Sequence, residues 1–171
     1  MTEQRKHNVL FLCTHNSARS ILAEAALNAR AGDRFAGYSA GSNPGTAPNP
    51  FALELLRSLD IPTAGMYSKS WDEFAKDDAP QIDFVITVCD DAAGEVCPIW
   101  PGHPAKAHWG VADPSRVEGG DDEKRAAFHR AYAQLCKRID MFTSLPLDKL
   151  DHSAQQKVMQ NIGTSLREKG E

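Results

Sequence analysis

A single doubly wound α/β domain is expected, with a four-stranded parallel sheet of order 2-1-3-4 and helices on both faces. Three observations lead there. Short apolar or β-branched runs alternate with stretches of helical spacing, the pattern of parallel strands joined by crossover helices. Glycine and proline punctuate the joins. The length of 171 residues suits one domain with a sizeable core. In such sheets ligands bind beyond the carboxyl ends of the strands, at the switch point between the first and third.

Residues 8–12 (Asn-Val-Leu-Phe-Leu) read as a buried strand. Residues 19–31, rich in Ala, Leu and Glu, read as a helix stopped by Gly32. A second strand spans 35–40 and ends at Gly41. Two Gly and three Pro make 41–50 a loop. Phe51, Leu55 and Leu59 give 50–59 helical spacing, and 71–75 suits a short helix. Residues 83–88 (Asp-Phe-Val-Ile-Thr-Val) are the clearest β signal. Gly94, Pro98, Pro101, Gly102 and Pro104 make 90–104 a long loop, and a fourth strand fits 106–109. Phe128, Tyr132, Leu135, Ile139 and Phe142 share one face of a helix over 121–142. A terminal helix over 147–166 is entered through Pro146. The linker-like stretch 118–122 is too small to divide domains. We therefore expect one domain over 1–145 and a C-terminal helical extension, 146–171, packed on or projecting from it.

The apolar (42%) and charged (25%) fractions are those of an ordinary globular protein. A net charge of −4 argues against general attraction to nucleic acid or to an anionic membrane. A negative protein that binds an anion must do so through local geometry. No apolar run approaches a membrane span, and the run after the polar residues 1–8 is too short for a signal peptide. A cytoplasmic location follows as the expectation. There the four cysteines, Cys13, Cys89, Cys97 and Cys136, suit reactive thiols better than a disulfide framework.

The richest motif is Cys13-Thr14-His15-Asn16-Ser17-Ala18-Arg19-Ser20, between the first strand and the first helix. Backbone N–H groups of such a loop converge on a tetrahedral oxyanion, and the helix adds its positive end. Arg19 offers a planar fork for two oxygens, and the same field favours the reactive thiolate of Cys13. A buried cysteine beside a salt-bridging arginine would fit the pattern alone; the strand-end position favours chemistry. Asn16 is placed to brace the loop backbone and Ser20 to donate to the thiolate, although both also suit a helix start.

Cys89 lies at the end of the third strand, which topology brings to the same crevice as Cys13 across 76 positions. Cys89 and Cys97 bound a loop that brings the two thiols together if it folds back. They read as a redox pair: Cys89 attacks a sulfur-bound adduct on Cys13, and Cys97 resolves the new disulfide. Inert packing is the alternative. A metal site using His103 and His108 is a weaker match, because Cys-x7-Cys is wider than the usual cysteine pair. We expect no metal. Asp113-Pro114 could place a carboxyl to protonate a leaving oxygen, or simply open a turn. Cys136, His108 and Trp109 read as packing groups, and the His15 side chain points outward on this reading.

The run from Val9 to Ala23 resembles the low-molecular-weight tyrosine phosphatase superfamily, and Asn16-Ser17-Ala18-Arg19-Ser20 resembles its arsenate reductase branch. Tyr38-Ser-Ala-Gly-Ser, Ser68-Lys-Ser, Thr87-Val-Cys-Asp, Cys97-Pro-Ile-Trp-Pro-Gly and His108-Trp-Gly-Val-Ala-Asp-Pro extend the likeness over most of 8–142. The resemblance implies a low-molecular-weight-phosphatase-like fold and arsenate in the loop from Cys13 to Arg19. It further implies attack by Cys13, protonation of the departing oxygen by Asp113, a Cys13–Cys89 disulfide, and then Cys89–Cys97. An external thiol system, thioredoxin or glutathione with glutaredoxin, would reduce the last disulfide, with no bound cofactor. Phosphate would compete, and weak phosphatase activity is implied.

Three departures from the branch stand out. The segment between Cys89 and Cys97 is one residue longer. Lys69 stands where some members bind potassium beside an aspartate, so its ammonium would replace the cation. The tail 146–171 lies beyond the minimal family domain. Two rival functions remain at this point. One is a tyrosine phosphatase using Cys13, Arg19 and Asp113, although Ser115 and Arg116 stand where tyrosines often line such a site. The other is an arsenic sensor, for which no basic DNA-reading helix is visible.

Overall fold

The structure, a computed structural model, describes residues 6–88 and 104–168. Strand β1 (His7–Cys13) is flanked by β2 (Phe35–Gly41) and β3 (Phe84–Thr87), and β4 (Ala105–His108) forms the far edge beyond β3. The sheet is parallel with order β2-β1-β3-β4, as the alternation of elements implies. The last five residues of β1 are buried, as a central strand covered on both sides requires. Cys13 pairs with Gly41 at the carboxyl end of the sheet, and Leu12 with Thr87.

Alternation along the strands sorts the core into two faces. Val9, Phe11, Phe84 and Ile86 join the apolar residues of α1 (Arg19–Ala31), α2 (Pro50–Ser58), α3 (Asp121–Thr143) and α4 (His152–Glu168). Leu10, Leu12 and Val85 pack on the opposite side with Ile82 and with Trp71 and Phe74 of a 3-10 turn (Trp71–Phe74). Phe142, near the end of α3, ties the first face together. Its ring lies 5.3 Å from Phe84, 5.4 Å from Phe35 and 5.8 Å from Trp109.

The C-terminal region differs from the sequence expectation. Instead of one helix over 147–166, a 3-10 turn (Leu147–Lys149) is followed by extended backbone at Leu150 (φ −106°, ψ 141°). Helix α4 then starts because the Asp151 carboxylate accepts a 2.8 Å bond from Ala154 N, an N-cap that periodicity alone does not reveal. Gly32 does end α1, but in right-handed backbone (φ −63°), not as a left-handed cap. No helix among the described residues is long and apolar enough to cross a membrane.

Helix α4 lies along the outer edge of β4. Lys106 N donates to Gln156 Oε1 at 3.1 Å and His108 N to Gln160 Oε1 at 2.9 Å. Four residues of helix rise about 6 Å and two residues of strand about 6.7 Å, so glutamines four apart meet alternate strand amides. The Trp109 indole donates to Met159 O at 2.8 Å, and a Cβ on Gly163 would stand 2.4 Å from His108 O. Helix α4 thus seals an edge of the sheet. Replacing both Gln156 and Gln160 with Ala is expected to cost about 1–2 kcal/mol in urea unfolding. Light scattering at high concentration should then show self-association absent from the parent.

Candidate active site

The loop between β1 and α1 is held from outside through its carbonyls. Thr14 O accepts from Asn43 N (2.8 Å), His15 O from Gly45 N (3.0 Å) and Ser17 O from Asn49 N (2.7 Å). Asn16 O accepts from Ser68 Oγ (2.8 Å). In a trans peptide the N–H of the next residue points opposite to the carbonyl. The amides of His15, Asn16, Ser17 and Ala18 are therefore turned away from these flanking loops, towards the concave side. Helix α1 continues the pattern: its N-cap, Ala18, has no capping side chain, and its first turn has no acidic residue. The α1 N-terminus thus keeps amides available to an anion. Cys13 sits at the mouth of this concavity as a buried thiol outside any disulfide among the described residues.

Only glycine fits at 41. A Cβ there would stand 2.5 Å from Thr14 O, 2.9 Å from Cys13 O and 3.0 Å from Asn16 N. The register of β1 and β2 forces this approach, because Cys13 and Gly41 are paired. Asn49 serves two elements: its N–H holds Ser17 O, and its side chain caps α2 by accepting from Phe51 N at 2.8 Å.

Asn16 is the keystone of the loop. It is fully buried and left-handed (φ 50°), a conformation asparagine tolerates better than most residues. Its amide donates to Ser20 Oγ at 2.8 Å, and its Oδ1 accepts from Lys69 N at 3.0 Å. Ser20 thereby keeps its own hydroxyl proton for another acceptor. Nearby, the Lys69 ammonium donates to Ser39 O at 3.0 Å and lies 4.0 Å from Glu24 Oε1, which also accepts from Ser39 Oγ at 2.8 Å. Burial pushes the Glu24 carboxyl up despite Lys69 and Ser39, and pushes Lys69 down despite Glu24 and Glu73. These residues do not fit a potassium ion, because the ammonium already stands among the oxygens that would ligate one.

Arg19 reaches across to the segment after β4. Its Nη1 donates to Val111 O at 2.8 Å, and its Nη2 lies 3.5 Å from Asp113 Oδ2. Among the described residues its Nε is buried without a hydrogen-bond partner, an orphan donor beside the loop. Asp113 opens a 3-10 turn (Pro114–Arg116), and its Oδ1 accepts from Ser115 N at 2.9 Å and Ser115 Oγ at 2.6 Å. Arg116 Nε lies 3.5 Å from Oδ2. Burial raises the Asp113 carboxyl, but the two Ser115 bonds and both guanidinium groups outweigh it and hold it below the usual carboxylate range.

The structure thus brings Cys13, the loop of Thr14 to Ser20, Arg19 and Asp113 to one end of the sheet. The exposed His15 ring lies 3.0 Å from Asn43 O. Trp109 is fully buried, and His108 Nδ1 lies 2.7 Å from Thr87 Oγ1. Cys136 is buried in α3 with its thiol pushed up by burial, far from thiolate chemistry. Cys89, Cys97 and His103 lie outside the described residues. Sequence reasoning missed Asn43, Gly45, Asn49 and Ser68 as anchors of the loop. The Gly/Pro density of 41–50 was a signal for them, but it does not say which carbonyls such a loop will hold.

The family model for low molecular weight phosphotyrosine protein phosphatase matches residues 8–157. An arsenate reductase of Bacillus licheniformis is 38% identical over 137 residues, 80% of this chain and 95% of that protein. The arsenate reductase of Bacillus subtilis is 36% identical over 134 residues, 78% of this chain and 93% of that one. Among solved structures, an arsenate reductase from Archaeoglobus fulgidus superposes with a TM-score of 0.58 at 27% identity, covering 77% of this chain and 98% of that one. A low molecular weight protein tyrosine phosphatase from T. tengcongensis has the same fold, with a TM-score of 0.61 at 21% identity over 79% of this chain and 99% of that one.

Gly41→Ala should force the loop open and weaken inorganic phosphate binding at least about tenfold by calorimetric titration. Asp113 supports a second expectation. Its folded pKa is depressed, so its bonds stabilise the protein above the unfolded carboxyl value and are lost as pH falls through the folded value. After allowing for solvent screening, Asp113→Asn should cost about 1 kcal/mol in urea unfolding at pH 7 and progressively less as pH falls through the folded carboxyl value.

Proposed function

We propose arsenate reduction as the activity of this chain, from the premise that it belongs to the low molecular weight phosphotyrosine protein phosphatase family. One observation carries the reading. A buried thiol adjoins a loop whose carbonyls are held outward, which leaves its amides turned to the side where a tetrahedral anion would fit, in a chain 38% identical to an arsenate reductase over 95% of that enzyme. An external thiol system supplies the electrons, thioredoxin or glutathione with glutaredoxin, and phosphate competes for the loop.

Arsenate takes the place among the loop amides, with two oxygens on the Arg19 fork. The Cys13 thiolate attacks arsenic, and one hydroxyl departs as water. Dihydrogen arsenate carries a second hydroxyl, so thiolate and substrate give the sulfur–arsenic adduct and water with no outside proton. The Asp113 carboxylate relays that proton to the departing oxygen. Cys89 then attacks Cys13 sulfur. The electron pair of the sulfur–arsenic bond stays on arsenic, which is reduced and leaves as arsenite, while the two sulfurs are oxidised to a disulfide. Val88, one residue before Cys89, supports this pairing: its N–H bonds Leu12 O at 2.9 Å, one residue before Cys13. Cys97 attacks Cys89, frees Cys13, and leaves a Cys89–Cys97 disulfide for the external thiol.

The deciding assay is arsenite formation by the purified protein, with the thioredoxin and glutaredoxin systems supplied in parallel. Cys89→Ser should lower multiple turnover at least about a hundredfold yet retain hydrolysis of an aryl phosphate. Unchanged arsenate turnover in that variant would overturn the Cys89 cascade, whereas no arsenite with either thiol system beside clear aryl-phosphate hydrolysis would favour a phosphatase. Potassium should leave kcat unchanged, because the Lys69 ammonium supplies the positive charge beneath the loop.

A further inference from the structure

We propose that the Ser115 hydroxyl is a positioning group that keeps Asp113 as a carboxylate and so biases the site against aryl-phosphate hydrolysis. The inference rests on the catalytic reading above and assigns it a substrate preference. Three features of the geometry carry it. First, Ser115 Oγ donates to Asp113 Oδ1 at 2.6 Å, and Ser115 N donates to the same oxygen at 2.9 Å. Both bonds favour the ionised form. Second, Oδ2 lies 3.5 Å from Arg19 Nη2 and 3.5 Å from Arg116 Nε. These are the charged groups that act on Asp113 among the described residues. The acidic first turn of α3, Asp121-Asp122-Glu123, belongs to a helix packed on the same turn but adds nothing to them. Third, Ser115 is exposed, so burial in the core does not account for its place.

The chemistry of the two substrates then separates them. Arsenate brings a proton on a hydroxyl that can be relayed to the oxygen that departs. The ester oxygen of an aryl phosphate carries none, and the aryloxide must take its proton from the protein as the bond to phosphorus breaks. A carboxylate can relay a proton that the substrate supplies. It serves poorly as a general acid, since only its protonated fraction can act.

The test uses the full chain, Ser115→Ala, and Ser115→Thr, which restores a hydroxyl. Carbon-13 NMR follows the Asp113 carboxyl through its titration, and hydrolysis of phenyl phosphate, whose basic leaving oxygen needs a proton, is profiled against pH. In Ser115→Ala the Asp113 titration should move up by about one pH unit. The basic limb of hydrolysis should move with it, and hydrolysis at pH 6 should rise about fivefold relative to arsenate turnover. Ser115→Thr should keep the parent profile. An unmoved Asp113 titration overturns the proposal, as does a moved titration with an unmoved hydrolysis profile. If Ser115→Ala does not fold, Ser115→Gly removes the same hydroxyl and decides by the same readings. A shifted Asp113 in a protein that never forms arsenite would sink the reductase reading while leaving the Ser115 assignment standing.

Discussion

The site depends on four carbonyl groups being pulled outward. An anion-binding loop made of backbone needs its N–H groups aimed at one point, yet each peptide unit is free to rotate as a plate. Bonds from Asn43, Gly45, Asn49 and Ser68 fix four consecutive plates by their oxygens. The sheet register then matters because it brings Gly41 against the loop, and α2 matters because its N-cap residue is one of the anchors. No donor in this set belongs to the loop itself. The segments that look like connectors are therefore part of the proposed anion receptor.

A second layer of charge lies under and beside that loop. Beneath it, Glu24 and Lys69 share a buried site with Ser39, and Asn16 links that site to the loop backbone. Beside it, Arg19 spans from α1 to Val111 and Asp113. Val111 and Asp113 follow Trp109, whose indole is held by α4. Helix α4, the β4 edge and the residues around the loop from Cys13 to Arg19 thus form one continuous packing chain.

Much of this was legible in the sequence. The strand over 83–88 and the helix over 19–31 are set by composition and spacing that tertiary contacts reinforce. The meeting of Cys13, Arg19 and Asp113 at the carboxyl end of the sheet follows from their motifs together with the switch-point rule. What stayed hidden has a common cause: it depends on partners distant in sequence. The anchors of the loop carbonyls come from residues 29 to 52 positions away, and no local pattern marks a donor for a particular oxygen. Asp113 read alone offered a turn opener or an acid; it opens the turn and pairs with Arg19, 94 positions away. The break at Leu150 was missed because helical periodicity does not register a single extended residue before a capping aspartate.

The way α4 covers β4 has a consequence for how this fold could change. Its last strand is finished by two amide side chains, not by another backbone. A border of that kind is soft to mutation: two codon changes reopen it, whereas removing a fifth strand would require deleting a whole segment. The extension therefore leaves the sheet able to acquire a new neighbour from another chain without altering a residue of the catalytic loop, which sits at the carboxyl end of the strands and not along this rim.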